Sequence, residues 1–171
     1  MLRTEFGYPH EGPLGLESTH WNSIQDHVDK KHWQWLWGSG VKNGLFRYGH
    51  LYKGSIEALR SLNEIGDVVI ITHRPRSAVQ DTLDWLSYLR LPFMEVHLLT
   101  NGEPKSSVPH CDMYVDDKPD NIIDFTDNTK GLPLLWARGW NTDMQVKDPG
   151  GVFKIVTKWG EVIDHAKELR R

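Results

Sequence analysis

Asp67–Arg74, DVVIITHR, and its counterpart Cys111–Pro119, CDMYVDDKP, each run apolar and then stop on polar, chemically capable residues. Val68-Val69-Ile70-Ile71 ends on Thr72-His73-Arg74, and Met113-Tyr114-Val115 ends on Asp116-Asp117-Lys118. Short apolar runs rich in β-branched residues, flanked by helical patterns, predict strands buried on both faces of a parallel sheet. Ligands of such sheets sit beyond the carboxyl ends of the strands. There this chain places a hydroxyl, an arginine and two adjacent carboxylates, so the expectation is a phosphate and metal site at the top of an α/β sheet.

Outward from these strands the chain alternates. On the amino side, Gly54–Ile65 carries Ile56, Leu59, Leu62 and Ile65 on one helical face, with Gly66 as the C′ residue that ends it. On the carboxyl side a helix is expected from a Ser77 cap to Leu89, with Val79, Leu83, Leu86 and either Leu89 or Trp85 inward. Met94–Thr100, Asp112–Val115 and Leu132–Trp136 predict further strands, and Asp120–Asp127 a short helix. A polar loop over Arg138–Gly151 leads to a strand at Val152–Val156 and a last helix at Gly160–Leu169. This order predicts a doubly wound, Rossmann-like parallel α/β fold.

Ahead of it, Met1–Leu16 has the glycines and prolines of a loop. Ser18-Thr19 offers a cap for a helix at Trp21–Val28 and Asp29 one for Lys30–Trp37, with Gly38-Ser39-Gly40 loosening the second helix before Val41. Asn43-Gly44 reads as a turn. Residues 1–50 are thus expected to form an N-terminal segment and helical cap, and residues 51–171 the α/β core.

The 171 residues, 39% apolar and 25% charged with a net charge of −3, describe one ordinary globular domain. That balance argues against a nucleic-acid coat or a membrane-surface binder, and no apolar run approaches the ~20 residues of a spanning helix. The single cysteine, Cys111, excludes an internal disulfide and fits a reducing compartment. With no apolar leader in MLRTEFGYPHEGP, the expectation is a cytoplasmic protein; a homodimer stays open. Trp21, Trp33, Trp35 and Trp37 crowd into one segment, which calls for an aromatic cluster.

Thr72 at a strand end can donate its hydroxyl to a phosphate oxygen beside the N–H groups of the turn, or serve simply as a turn residue. Arg74, with His73 beside it, suits phosphate through its planar fork; the plainer alternative is a solvated loop cation. Lys105 can neutralise a phosphate or hold a carboxylate nucleophile in its charged form, or be a surface lysine. Asp116 and Asp117 repel each other unless a cation or several donors compensate. Mg²⁺ suits such hard oxygens, since it accepts one or two protein carboxylates; the other reading has Asp116 capping the next helix. Trp33, Trp37, Phe46 and Tyr48 can stack on a nucleobase or pack as the core of the small bundle.

Taken together, Thr72 ending one strand, Lys105 in a later loop and Asp116-Asp117 ending another strand resemble motifs II, III and IV of the haloacid-dehalogenase-like phosphohydrolases. The ITHRP and YVDDKPD wording looks most like the 5′(3′)-deoxyribonucleotidase branch, phage and bacterial members included, and a Trp-rich cap before motif II fits as well. The resemblance covers roughly residues 18–140. It implies Mg²⁺-dependent hydrolysis of a phosphomonoester, a (deoxy)nucleoside monophosphate, through an aspartyl-phosphate. Carried over, Thr72 binds phosphate, Lys105 steadies phosphate and nucleophile, and Asp116 reaches the metal with Asp117 in support. His73 and Arg74 join the phosphate side.

One motif is missing. The family's nucleophile lies in an apolar strand ending D-x-D ahead of the cap, and these 171 residues contain no D-x-D. Three expectations compete. Met1 is internal to a longer protein whose preceding ~20–25 residues, by typical element lengths, carry the nucleophile. Or the chain is complete and is a non-catalytic nucleotide- or protein-binding remnant. Or it is an unrelated phosphate-binding module. The first implies a truncated polypeptide, inactive alone. Descent from the family implies that strands 67–72 and 112–116 either flank a strand-wide gap or pair directly; different sheets would refute the assignment.

Overall fold

The computed structural model describes residues 5–7, 27–47, 49, 51–91, 93, 95–100, 102–108, 110–143 and 151–171. Helix α1, Lys30–Trp35, starts where Asp29 Oδ1 accepts the Lys31 N–H at 2.7 Å, the cap expected of an aspartate there. It widens into a π turn over Leu36–Gly40, where the Gly-Ser-Gly run predicted loosening. The Asn43-Gly44 turn is present, with Gly44 at φ 89°. Most of the helix expected at Trp21–Val28 lies outside the described residues.

From there the core runs α2 (Ser55–Ile65), β1 (Val69–His73), α3 (Val79–Leu89), β2 (Glu95–Leu99), β3 (Met113–Asp116), α4 (Pro119–Asn128), β4 (Leu132–Trp136), β5 (Lys154–Val156) and α5 (Trp159–Leu169). Among the described residues all strand pairing is parallel. β1 pairs with β2, Thr72 opposite Leu98, and β3, β4 and β5 form a second ladder, Asp116 opposite Leu135 and Trp136 opposite Val156. Parallel strands flanked by helices are the α/β architecture the sequence predicts, and among the described residues no helix is long and apolar enough to cross a membrane.

β4 organises the core because its side chains alternate between two packed faces. Leu135 joins Tyr114, Ile122, Phe125 and Phe153 on the α4 side, where the Tyr114 and Phe125 rings stack at 4.3 Å. Leu134 and Trp136 join Val156, Val162 and Leu62 on the α2 and α5 side, with Trp136 tilted at 53° against Trp159, 4.5 Å between centroids. The approach to β4 is so close that a Cβ on Gly131 would strike the Cys111 carbonyl and lie 2.7 Å from the Tyr114 ring. Glycine is therefore the one residue that fits without moving backbone.

The two ladders are hydrogen-bonded separately, so β1 and β3 do not pair directly. On ladders alone this counts against the assignment. Side chains nevertheless bring the halves together: Ile71 of β1 packs on the Tyr114–Phe125 cluster, and the loop after β2 reaches across to β3 and α4.

Three local expectations fail. Gly66 sits at φ −168°, extended backbone open to any residue, rather than in a left-handed cap. Ser77 caps nothing; a 3₁₀ turn at Arg76–Ala78 leads into α3, whose N-cap Ala78 has no side-chain bond. Leu83 is 37% exposed, while Asp81 and Thr82 are buried beside Leu86, because this face of α3 meets arginines from neighbouring segments.

Candidate functional site

Asp116 closes β3. One carboxylate oxygen, Oδ1, accepts the Lys118 N–H at 2.8 Å, and Pro119 at the first turn of α4 needs no donor of its own. The other, Oδ2, takes Lys105 Nζ at 2.6 Å, with the two side chains only 14% and 7% exposed for lysine and aspartate. Lys105 is delivered there by a single 3₁₀ turn, Lys105–Ser107. That turn is pinned to α4 by Ser106, whose N–H and Oγ donate to Asp124 at 2.9 and 2.6 Å. A pair this dry is held by charge at a desolvation cost, and removing one partner strands the other.

Asp117 follows in the bend just beyond the strand. Its main-chain carbonyl accepts from Trp140 Nε1 at 3.2 Å and Asn141 Nδ2 at 2.9 Å. Burial, then the neighbouring Asp116 charge, pushes its carboxyl above the usual range, against the pull of its own N–H, Arg138 and Lys105. A desolvated acid beside a second carboxylate is stabilised by a nearby cation. Arg138 itself lies over the Tyr52 ring at 4.3 Å and the Trp136 ring at 5.1 Å.

Of the residues expected at the site, Lys105 and Asp116 come into contact, and Asp117 is close enough for both charges to act on its carboxyl. Thr72 and His73 lie on β1, also at a carboxyl end, but Thr72 makes no hydrogen bond to Lys105 or Asp116 among the described residues. The His73 ring Nε2 meets the Glu103 carbonyl at 2.7 Å; Glu103 in turn accepts the Thr100 N–H and hydroxyl, which holds its own carboxyl below the ordinary range. Arg74 turns elsewhere. Its Nη1 donates to Thr82 Oγ1 at 3.0 Å and its guanidinium lies 4.7 Å from the Phe46 ring centroid and 5.3 Å from Trp85, burial lowering its pKa.

The aromatic candidates continue that contact into the cap. Phe46 and Trp37 lie 6.2 Å apart, and Trp37 and Trp33 meet edge to face at 5.7 Å, Trp37 being 46% exposed. Tyr48 lies outside the described residues. Arg47 pairs with Asp81 of α3, and Trp85 Nε1 donates to Gly49 O at 2.9 Å, so this end of the cap is fastened to the core. His32 stacks on Phe6 at 3.9 Å, a packing role.

Trp140 and Asn141 escaped the sequence reading because they lie in a segment read as plain polar loop. The available signal was a Trp-Asn pair four residues beyond an apolar strand. Two shallow cavities, about 380 and 540 Å³, are lined by Asp112, Gly131 and Leu169 and by His110, Asp127 and Lys130, at the amino ends of β3 and β4, away from Asp116. No cluster of three or more His, Cys, Asp or Glu side chains suited to a metal occurs among the described residues.

Parallel strands flanked by helices, with carboxylates at a strand's carboxyl end and a lysine crossing to meet the first of them, are consistent with a Rossmann-like α/β protein of the haloacid-dehalogenase type. A family model described as 5′ nucleotidase, deoxy (Pyrimidine), cytosolic type C protein matches residues 3–166, and the chain belongs to that family. No curated protein matches the chain in sequence.

Proposed function

We propose that this chain carries the phosphate- and cation-handling part of a nucleotidase acting on (deoxy)nucleoside monophosphates. The observation that carries the reading is the dry Lys105–Asp116 pair at the carboxyl end of β3 with Asp117 beside it. With Oδ2 ion-paired to Lys105 and Oδ1 accepting the Lys118 N–H, Asp116 is assigned to anchoring Lys105, and Asp117 is offered to Mg²⁺. One or two carboxylates suit this ion, which takes its remaining ligands from water and phosphate oxygens. When bound, it supplies charge neutralisation for the phosphate. Lys105 presents its ammonium to phosphate oxygens, and Thr72 donates its hydroxyl. Arg74 is reassigned to fastening the cap, whose Trp33, Trp37 and Phe46 offer faces to a base.

Because these residues contain no D-x-D, the attacking carboxylate of a covalent route has no candidate here. The chain alone is therefore expected to leave nucleoside monophosphates intact. Joined to an apolar strand ending D-x-D, placed between β1 and β3, it is expected to release phosphate only with Mg²⁺ present. Asp117→Asn in that active form should abolish release, whereas Arg74→Lys should retain most of it. An extended protein that stays inert would instead favour a non-catalytic nucleotide- or protein-binding role. Val115 of β3, 38% exposed near the carboxyl end of its strand, favours that second reading if the chain is found to bind a partner there.

A further inference from the structure

The Asp117–Lys118 peptide is held at both ends. At its oxygen, Trp140 Nε1 donates at 3.2 Å and Asn141 Nδ2 at 2.9 Å. At its nitrogen, the Lys118 N–H donates to Asp116 Oδ1 at 2.8 Å, while Asp116 Oδ2 takes Lys105 Nζ at 2.6 Å. One rigid amide plane thus passes the position of the turn after β4 to the carboxylate that anchors Lys105.

Asn141 is built into this link. It is 2% exposed, and its Nδ2 also donates to the Trp136 carbonyl at 2.8 Å while Oδ1 accepts the Arg138 N–H at 2.8 Å. A carboxamide combines two donors and an acceptor in one plane; an aspartate of the same shape lacks the donors, and a leucine lacks both. Donors on the carbonyl oxygen also polarise the amide, strengthening the N–H that faces Asp116.

We propose that Asn141 is a positioning residue for the Lys105–Asp116 pair, acting through the Asp117–Lys118 peptide, with Trp140 as the second donor. Its geometry stands independently, while its functional meaning rests on reading that pair as phosphate-handling. Had Asn141 merely closed its own turn onto Trp136, the Lys118 amide would not register its loss.

The test is amide NMR on the ¹⁵N-labelled chain, comparing wild type with Asn141→Asp, Asn141→Leu and Trp140→Phe, together with unfolding midpoints and an orthophosphate titration. Loss of the Asn141 donor should speed exchange of the Lys118 amide about tenfold and move its proton upfield. The Ile155 and Val156 amides should keep their protection, and Trp140→Phe should produce a smaller change of the same sign. Orthophosphate binding should weaken in the same order. An unaltered Lys118 amide in a folded Asn141→Asp protein overturns the proposal. If neither position-141 variant folds, the trans-hydrogen-bond coupling from Lys118 N to the Asp116 carboxylate decides. Its absence in wild type, or its persistence unchanged in Trp140→Phe, overturns the proposal equally. A wild type that ignores orthophosphate while its Lys118 amide still responds to position 141 upholds the positioning role and removes the phosphate reading of the site.

Discussion

β4 and β1 are both short, apolar, parallel strands, yet they live in different surroundings. Four of the five residues of Leu132–Trp136 are buried, whereas every residue of Val69–His73 is only half-buried. β4 has a ladder partner on each side and a packed helix layer on each face; among the described residues β1 has β2 alone. The three-stranded half is held by a core. The two-stranded half is held to it chiefly by side chains, through Ile71, the Lys105–Asp116 pair and Ser106 on Asp124. Backbone ladders and apolar packing are cooperative over many residues, while such bridges fail one at a time.

The largest test of this contrast is truncation on either side of it. Phe125→Ala, at a fully packed position, should cost about 3–5 kcal/mol in urea unfolding, and Ile71→Ala, half-buried on β1, about 2 kcal/mol or less. Equal costs would mean that the halves share one core. Next comes Lys105→Met, which leaves Asp116 charged and unpaired in a dry site and should cost about 3 kcal/mol. Adding Asp116→Leu should recover most of it. Hydrogen exchange should then show the loss concentrated in the β1 and β2 amides; a uniform loss would merge the two regions.

The cap fastening is weaker. Arg47 is 48% exposed although its partner Asp81 is 9% exposed, so Arg47→Ala should cost about 1 kcal/mol. A double-mutant cycle with Asp81→Asn isolates the pair. The smallest effect falls at the start of α5. Glu161 accepts the Thr157 N–H, its hydroxyl and the Lys158 N–H, and these hold its carboxyl below the usual range. A folded pKa below the unfolded one gives stability that is complete at neutral pH and is lost as pH falls through the folded value. Glu161→Gln should therefore lower the midpoint slightly at neutral pH, and the difference from wild type should vanish in acid.

Strand and helix existence was legible because apolar runs and helical faces are local patterns; Leu132–Trp136 was expected within the bounds observed. The inward face of α3 was not, since hydrophobicity favours Leu83 while the actual partners, Arg47 and Arg74, approach from outside the helix. At the site, residue types pointed to Lys105, Asp116 and Asp117, and the structure joins the first two. Which aspartate faces the lysine depends on where a strand stops by a single residue, a detail periodicity does not carry. Asn141 works through its carboxamide bonds to two strand-end carbonyls, and nothing in a single sequence marks such bonds.

The Trp136–Trp159 contact has a consequence of its own. Two indoles 4.5 Å apart and tilted at 53° couple their electronic transitions, giving a paired circular-dichroism band that isolated tryptophans lack. Since one ring rides on β4 and the other on α5, the part of that band lost in Trp159→Phe, as distinct from the part that the Trp33–Trp37 pair supplies, is an intrinsic optical gauge of whether the central strand and the final helix are in register.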